Sequence, residues 1–139
     1  MDLVAALAYS ATKKHGVLIT IRADGRPQSS DVAFLVCDDT FVISLTDTRA
    51  KTHNMRRDPR VVLHLTDPST WTYLSFDGTV SLSPVAMDPN DATNDALVDH
   101  YERVAEQAHP DWDEYRRAMV AERRLLATFT PTSVVGQIH

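Results

Sequence analysis

A series of short β-rich segments separated by turn residues places the tightest limit on how this chain can fold. The first two segments, residues 17–22 and 28–36, are joined through Asp24-Gly25, a dipeptide typical of tight hairpin loops. Further β-rich segments follow at residues 41–45, 60–67, 71–84 and 123–135. Because most of these segments are joined by short turns, we expect neighbouring strands to pair antiparallel. We also expect residues 71–84 to form one long strand, or a pair of strands, kinked near Gly78.

Helical patterns lie at the start of the chain and between some of these strands. Residues 2–14 and 51–58 are predicted as short helices. Asp88 is predicted as the N-cap of a longer helix, and Asp111 as the N-cap of the next one. The buried stripe of the longer helix is expected to consist of Leu97, Tyr101, Val104 and Ala108. The whole pattern predicts an α+β fold, with residues 1–139 as one domain around a six-stranded antiparallel β-barrel with flanking helices.

Charge and composition argue against several classes of protein. The chain carries 19 Asp and Glu against 14 Lys and Arg, a formal net charge of -5, which argues against a nucleic-acid partner. No apolar run approaches the roughly 18 residues of a membrane span, and the N-terminal segment lacks the basic start of a secretory signal. The single cysteine, Cys37, excludes an internal disulfide and fits a reducing compartment. We therefore expect a cytoplasmic protein with no membrane partner.

Motifs for common kinds of catalytic and metal sites are missing from the sequence. The four glycines form neither a GxGxxG nor a Walker phosphate loop, and the six histidines show no paired metal-ligand spacing. The candidate nucleophiles Ser29, Ser30 and Ser133 lack the flanking glycines of a nucleophile elbow. The sequence therefore predicts neither a metal site nor a catalytic residue.

The basic stretch "TDTRAKTHNMRRDPRV" is the best candidate for a binding site. From Arg49 to Arg60 it gathers five of the fourteen Lys and Arg residues. Arg49 and Lys51 lie where a strand is expected to enter a helix, and the free N–H groups of a helix N-terminus suit a phosphate. Arg56 and Arg57 are expected near the other end, where they complement the helix dipole. From these residues alone, an anion site and a solvated surface remain open, and a nucleic-acid patch is the least favoured alternative.

A longer segment carries a family resemblance. The stretch "ADGRPQSSDVAFLVCDDTFVISLTDTRAKTHNMRRDPRVVLHLTD", followed by "YLSFDGTVSL", resembles the pyridoxamine 5'-phosphate oxidase-like superfamily of FMN-binding split β-barrels. The resemblance spans residues 14–84, with a closing strand at 123–135. The form "RAKTHNMRRDPRV" and the short length are most similar to flavin/deazaflavin oxidoreductases that use coenzyme F420. The resemblance implies a split barrel and a homodimer with two cofactor clefts at the subunit interface.

The resemblance also implies which residues bind the cofactor. Lys51 matches the lysine that binds the cofactor phosphate, and Arg49 matches a neighbouring basic residue of the deazaflavin branch. The other positions implied as cofactor-binding are Gln28, Ser29, Ser30, Ser44, Leu45, Thr46, Asn54, Arg56, Trp71 and Tyr73, of which the last two reach toward the partner's cofactor. Ala50 stands where the FMN oxidases carry an arginine, which favours F420 over FMN.

The resemblance implies an F420H2-dependent reductase. Such an enzyme transfers a hydride from the reduced deazaflavin to an unsaturated or quinone-like small-molecule acceptor. Because the cofactor carries the difficult chemistry, no acid–base pair is expected to stand out in the sequence. Two alternatives remain open: an FMN-dependent oxidoreductase of the same fold, and a flavin- or haem-binding protein without turnover.

Overall fold

Seven strands and four helices form the chain in the computed structural model, which describes all residues 1–139. In chain order they are α1 (Leu3–Ser10), β1 (His15–Ile21), β2 (Pro27–Ala33), β3 (Leu35–Cys37), β4 (Thr40–Thr46), α2 (Ala50–Arg57), β5 (Arg60–Asp67), β6 (Thr72–Leu82), α3 (Ala92–Ala105), α4 (Trp112–Ala121) and β7 (Arg124–Gln137). All strands belong to one antiparallel sheet with the order β2-β1-β5-β6-β7-β4-β3. The predicted α+β split barrel is confirmed, but the predicted number of six strands is wrong.

The additional strand arises because the sheet closes on itself at Phe34. β2 ends at Ala33 and β3 begins at Leu35, although these two strands stand at opposite ends of the sheet order. Neighbouring strands in a sheet lie about 4.8 Å apart, so a flat sheet of seven strands would hold its edges far from each other. The sheet therefore curls into a half-closed barrel. The continuous strand predicted at residues 28–36 is divided where the chain crosses from one edge to the other.

Four phenylalanine rings fill the interior of this barrel. The Phe41 ring lies 5.1 Å from that of Phe34, 5.0 Å from that of Phe76 and 5.9 Å from that of Phe129, measured between centroids. Each of the four side chains is at most 1% exposed. The predicted alternation along β4 is observed: every second residue from Phe41 to Leu45 is buried in the core, whereas Ser44 lies on the outer face.

Turn chemistry sets the register of the hairpins. Gly25 has a φ of 86° and connects β1 to β2, which confirms the hairpin predicted at Asp24-Gly25. Asp38 and Asp39 both have positive φ between β3 and β4. The kink expected at Gly78 is a register shift between β6 and β7, and a Cβ at this glycine would lie 2.2 Å from a backbone oxygen of β7.

The start of α3 corrects one prediction. Asp91, not Asp88, is the N-cap, because its side chain accepts a hydrogen bond from the Asn94 backbone N–H at 2.8 Å. The same carboxylate also accepts from the N–H groups of Met87 and Asp88, so it both closes the preceding turn and caps the helix. Asp111 caps α4 as predicted, through the N–H of the residue three positions later.

The end of α3 corrects a second prediction. The helix ends at Ala105 because the following residue, Glu106, adopts a left-handed conformation with a φ of 57°. Ala108 therefore lies beyond the helix and is exposed instead of completing the predicted buried stripe. Leu97 is fully buried as expected, whereas Tyr101 and Val104 are only half-buried.

Helices α3 and α4 pack on the outside of the barrel, over β4 and β7. A small second core joins them to the sheet, and its buried members are Ala86, Leu97, Met119 and Leu126. This packing leaves open the stretch of the sheet next to the β4–α2 junction, where a cleft forms between the sheet and the two helices.

Candidate functional site

The cleft between the sheet and helices α3 and α4 has two connected parts. The larger part, which we call the chamber, has a volume of about 430 Å³. The smaller part, which we call the mouth, has a volume of about 190 Å³. Ser44, Lys51 and Arg124 border both parts, so one ligand can occupy the chamber and the mouth together.

The mouth forms where three elements end or begin. It is lined by Ser44, Leu45 and Thr46 at the end of β4, Arg49 and Lys51 at the start of α2, and Arg124 at the start of β7. The antiparallel pairing of β4 with β7 places Thr46 opposite Arg124. The Leu45 side chain packs in the barrel core and is 1% exposed, so the backbone of this residue is what borders the mouth.

The N-terminus of α2 offers backbone donors to the mouth. Arg49 occupies the N-cap position, but no side chain caps the helix. The Arg49 N–H donates to the Thr46 carbonyl, and within α2 the first N–H groups that bond to a preceding carbonyl are those of Thr52 and His53, which both donate to Arg49. The N–H groups of Ala50 and Lys51 therefore stay available, and a helix N-terminus with free N–H groups favours an anion.

Arg49 and Lys51 are also unpaired cations. Ten of the fourteen Lys and Arg side chains form an ion pair with a carboxylate. Of the other four, Arg57 donates to the Asn54 side chain and to a backbone carbonyl. Arg49, Lys51 and Arg117 have no such partner, and two of these three lie together in the mouth. The predicted anion site is thus a place where positive charge is left uncompensated by the protein.

The charge around Lys51 is consistent with an anion site. Burial lowers the pKa of Lys51, and the nearby positive charges of Arg49 and Arg124 lower it further, while Asp31 acts in the opposite direction. A bound phosphate would relieve this repulsion among the three cations. The mouth therefore suits a phosphate or carboxylate group electrostatically as well as through its donors.

The chamber has a sheet wall and a helix wall. The sheet wall consists of Asp31, Val32 and Ala33 from β2 and Ser44 from β4. The helix wall consists of His100, Tyr101, Val104 and Ala105 from α3 and Tyr115 and Met119 from α4. The Tyr115 hydroxyl donates to the Leu97 carbonyl at 3.0 Å, which fixes one aromatic side chain of the helix wall. Seven of the twelve lining residues are hydrophobic, so the chamber suits a flat, largely apolar ring.

Arg124 and most of the helix wall are parts of the site that the sequence does not predict. Arg124 reaches the mouth only because β7 pairs with β4 in one particular register. The helix wall has one signal in the sequence, the concentration of aromatic residues at Tyr101, Trp112 and Tyr115. These three rings do contact one another, with centroids 5.2 to 5.9 Å apart.

Gln28 and Asn54 lie in a hydrogen-bond network beside the barrel. The Asn54 amide donates to Gln28 at 2.9 Å and to the Thr20 hydroxyl at 3.1 Å, and its oxygen accepts from Arg57. Asn54 is 6% exposed. These contacts join α2 to the β1–β2 hairpin, and neither Gln28 nor Asn54 lines the chamber or the mouth. Their assignment to the cofactor stays a prediction.

Ser29 and Ser30 precede the part of β2 that lines the chamber. Ser29 is exposed, whereas the Ser30 hydroxyl is buried without a hydrogen-bond partner. The neighbouring residues Asp31, Val32 and Ala33 form the sheet wall instead. A role for the two serines in holding a cofactor stays a prediction.

Arg56 lies in an ion-pair cluster next to the mouth. Its guanidinium contacts the Asp47 carboxylate, which also accepts from Arg123 at 2.8 Å. The backbone N–H of Asp47 donates to the Arg123 carbonyl, so this cluster ties α2 to the connection between α4 and β7. It thereby holds the two segments that carry Lys51 and Arg124.

We expect Asp47 to make stability depend on pH in the acid range. Hydrogen bonds from Arg123 and then Arg56 lower the pKa of Asp47 below its ordinary value of 3.8. Its stabilising contribution is therefore complete above that ordinary value and is lost as the pH falls through the lowered pKa. Urea unfolding of wild type and Asp47→Asn should show a lower free energy of unfolding for the variant at pH 7, and a smaller difference below about pH 4.

Glu102→Gln is the control for this measurement, since Glu102 is exposed and forms no ion pair. A difference between wild type and Asp47→Asn that stays constant down to about pH 2.5 would contradict the ion-pair cluster.

Trp71 and Tyr73 lie outside the cleft, at the start of β6. Trp71 is 79% exposed with a φ of 58°, and Tyr73 is 42% exposed with its ring stacked on His64 at 6.1 Å. Neither residue borders the chamber or the mouth of its own chain. Their predicted contact with a partner's cofactor stays a prediction.

The structure also bears on metal binding and on membrane-spanning helices. No group of three or more His, Cys, Asp or Glu side chains is arranged to hold a metal ion. None of the four helices combines the length and the apolar character needed to cross a membrane.

Comparison with known families identifies the family of the chain. Residues 5–133 match the sequence profile of the family described as pyridoxamine 5'-phosphate oxidase. The chain belongs to this family. The pyridoxamine 5'-phosphate oxidase family therefore accounts for the split barrel, and the resemblance seen in the sequence is confirmed at the level of the superfamily.

Solved structures with the same fold include proteins of different kinds. A conserved hypothetical protein, Rv2991 from Mycobacterium tuberculosis, has a TM-score of 0.76 and 22% identity, over 98% of this chain and 84% of that chain. A protein named F420 reductase has a TM-score of 0.59 and 25% identity, over 88% of this chain and 89% of that chain. The heme storage protein HutZ from Vibrio cholerae has a TM-score of 0.68 and 15% identity, over 97% of this chain and 94% of that chain.

Proposed function

We propose that this chain binds coenzyme F420 in the cleft and reduces an unsaturated or quinone-like small molecule with it. The observation that carries the proposal is the pair of unpaired cations, Arg49 and Lys51, beside the free N–H groups at the start of α2. A phosphate-bearing cofactor needs such donors, and a phosphate there would also contact Arg124. The residues present therefore fit the phosphate of a flavin-type cofactor.

The chamber supports the choice of a ring-bearing cofactor. Val32 and Ala33 on the sheet wall offer an apolar surface, and Ser44 supplies a hydroxyl at the border between chamber and mouth. A ring that lies on this wall would place its phosphate-bearing tail toward Lys51. When bound, reduced F420 supplies a hydride, and the chain's own residues orient the ring and limit the access of water.

The F420 reductase among the similar structures favours the deazaflavin over FMN. The F420 reductase is 25% identical to the present chain, over 88% of the present chain. The residue directly before Lys51 is the uncharged Ala50, so the cations of the mouth come from three separate positions rather than from an Arg-Lys pair. We propose that these separated cations serve the phosphate and the acidic tail of F420.

We also propose that the chain forms a homodimer. Three exposed apolar side chains lie together where β6 begins and β7 ends: Trp71, Tyr73 and Val135, which are 79%, 42% and 64% exposed. The pairing of β6 with β7 places Tyr73 and Val135 on the same face of the sheet. If a second copy covers this face, Trp71 and Tyr73 of the first copy approach the cleft of the second. Light scattering of the purified protein measures the assembly state directly.

The test of the proposed function is a titration followed by a turnover assay. The purified chain is titrated with F420, FMN and haem, and F420H2 oxidation is then followed optically with a panel of enones and quinones. We expect saturable F420 binding and acceptor-dependent oxidation. FMN binding without F420 binding would replace the proposal by an FMN-dependent enzyme, and F420 binding without oxidation by any acceptor would leave a carrier instead of a reductase.

A further inference from the structure

His100 is a buried polar residue of the chamber whose hydrogen bonds are not satisfied within the protein. It is 9% exposed, and it lines the chamber from α3. Its Nδ1 atom is enclosed and has no hydrogen-bond partner. Most buried polar side-chain atoms in proteins do have a partner. No hydrogen bond of the structure involves the His100 side chain, and because Nδ1 is the enclosed nitrogen, Nε2 is the one left to bond a ligand in the chamber.

Two other buried polar atoms lack partners, and neither gives the same indication. The Asn94 side-chain oxygen is unpaired, but its amide group donates to the carbonyls of Asp88 and Arg116 and thereby joins α3 to α4. The Ser30 hydroxyl is unpaired but does not border the chamber. Among these three residues, only His100 faces space that a ligand can fill.

The surroundings of His100 define how it can act. Burial lowers the pKa of His100 below its ordinary value; on the same helix, Asp99 raises this pKa to a smaller extent and Arg103 lowers it. The ring is therefore neutral near pH 7, with one N–H donor and one acceptor nitrogen. A buried N–H without an acceptor is rarer than an unpaired acceptor, so the proton is expected on Nε2 rather than on the enclosed Nδ1. His100 then presents a donor to the chamber.

The other groups on the helix wall restrict the kind of ligand. Tyr101 and Tyr115 are aromatic, and Val104, Ala105 and Met119 are aliphatic. The cations of the cleft, Lys51 and Arg124, stand at its border with the mouth. A ligand on the helix wall is thus expected to be a neutral, flat ring compound with one oxygen that accepts a hydrogen bond.

We propose that the helix wall is the subsite for the second substrate, a neutral planar conjugated carbonyl compound, and that His100 donates a hydrogen bond to its carbonyl oxygen. This inference rests on the proposed function in one respect: it takes the sheet wall to be the cofactor side of the same chamber. The contact with His100 would select carbonyl compounds over hydrocarbons of the same shape, because a hydrocarbon leaves the imidazole unpaired.

The test compares two probes on the protein without cofactor. Coumarin is a flat two-ring compound with a carbonyl, and naphthalene has the same ring outline without oxygen. Ligand-observed NMR titrations measure the dissociation constant of each probe for wild type, His100→Phe and His100→Gln. We expect His100→Phe to weaken coumarin binding about tenfold and to leave naphthalene binding within twofold, and His100→Gln to recover part of the loss.

Two further readouts make the test specific. The ring nitrogen resonances of His100 should shift with coumarin and stay in place with naphthalene. His53→Phe is the matched control, since His53 is exposed on α2 and lines neither part of the cleft. Thermal unfolding of each variant checks that it is folded, and His100→Gln keeps the test meaningful where the phenylalanine variant does not fold.

The outcomes separate this inference from the proposed function. No binding of coumarin to wild type, or an equal loss of both probes in His100→Phe, would overturn the subsite. Because these titrations contain no F420, a chain that binds coumarin through His100 but fails to bind F420 overturns the proposed cofactor while the carbonyl subsite stands.

Discussion

Lys51→Met is expected to weaken F420 binding by roughly 10- to 150-fold, which corresponds to the loss of about 1.5 to 3 kcal/mol for a hydrogen bond to a charged group. The substitution removes the ammonium group and keeps most of the apolar part of the side chain. Lys51 has no carboxylate partner, so its removal leaves no unpaired acid behind. It also removes one of three mutually repelling cations. We therefore expect the variant to fold at least as stably as wild type.

A fluorescence titration with F420 measures this effect, and thermal unfolding checks the fold. Lys14→Met is the matched control, because Lys14 pairs with Glu106 on the surface and does not border the cleft. We expect Lys14→Met to bind F420 as wild type does. Equal affinity of wild type and Lys51→Met would show that the phosphate does not bind in the mouth. A loss of similar size in both lysine variants would mean that general charge, and not this site, attracts the cofactor.

Phe41→Ala should lower the free energy of unfolding by about 3 to 5 kcal/mol. Phe41 is fully buried at the centre of the four-ring core, with an edge-on contact to Phe34 and another to Phe76. The substitution leaves a cavity inside the half-closed barrel, where β4 is hydrogen-bonded on both sides and cannot move inward. Domains are typically stable by about 5 to 15 kcal/mol, so this single change removes a large part of the total.

Urea denaturation measures the loss, and two further variants calibrate it. Phe41→Leu keeps part of the buried surface and should cost less than Phe41→Ala. Met87→Ala removes a side chain that is 72% exposed and should change the free energy of unfolding by less than about 0.5 kcal/mol. A loss below about 1 kcal/mol for Phe41→Ala would contradict the tightly packed barrel interior.

Strand β4 contributes both to the core, through Phe41, and to the cleft next to Lys51, through Ser44. Phe41, Ile43 and Leu45 face the barrel interior, while Ser44 lies on the outer face and borders both parts of the cleft. Side chains alternate between the two faces of a strand, so the packing of one set fixes the position of the other. The rigidity of the barrel thereby places Ser44 next to α2 and Lys51.

Local structure was largely predictable because its causes are local. The Asp24-Gly25 hairpin and the capping of α4 by Asp111 depend on residues within a few positions of each other. Two of the predictions that were wrong, the N-cap of α3 and the unbroken strand at residues 28–36, also have physical causes. Asp88 and Asp91 both have N-capping chemistry, and the choice depends on the turn that Asp91 closes with the N–H groups before it. The break at Phe34 depends on closure of the whole sheet.

The candidate site was predictable only in part. Arg49 and Lys51 follow from a strand that enters a helix, which is a local arrangement, and the structure does place both in the mouth. Gln28 and Asn54 carry suitable polar groups, but their side chains bond to each other beside the barrel. Arg124 and His100 have no local signal, because register and helix packing bring them to the cleft. The predicted cytoplasmic location stays a prediction.

The sequence by itself determined the first hairpin, the inward face of β4 and the family, since these depend on turn residues, periodicity and a motif of neighbouring positions. The tertiary structure alone decided which distant residues share the cleft. Lys51, His100 and Arg124 come from three separate elements, and they meet because the antiparallel register of β4 with β7 and the packing of α3 on the sheet put them there. Contacts across such distances in the chain depend on the whole core, which no short segment encodes.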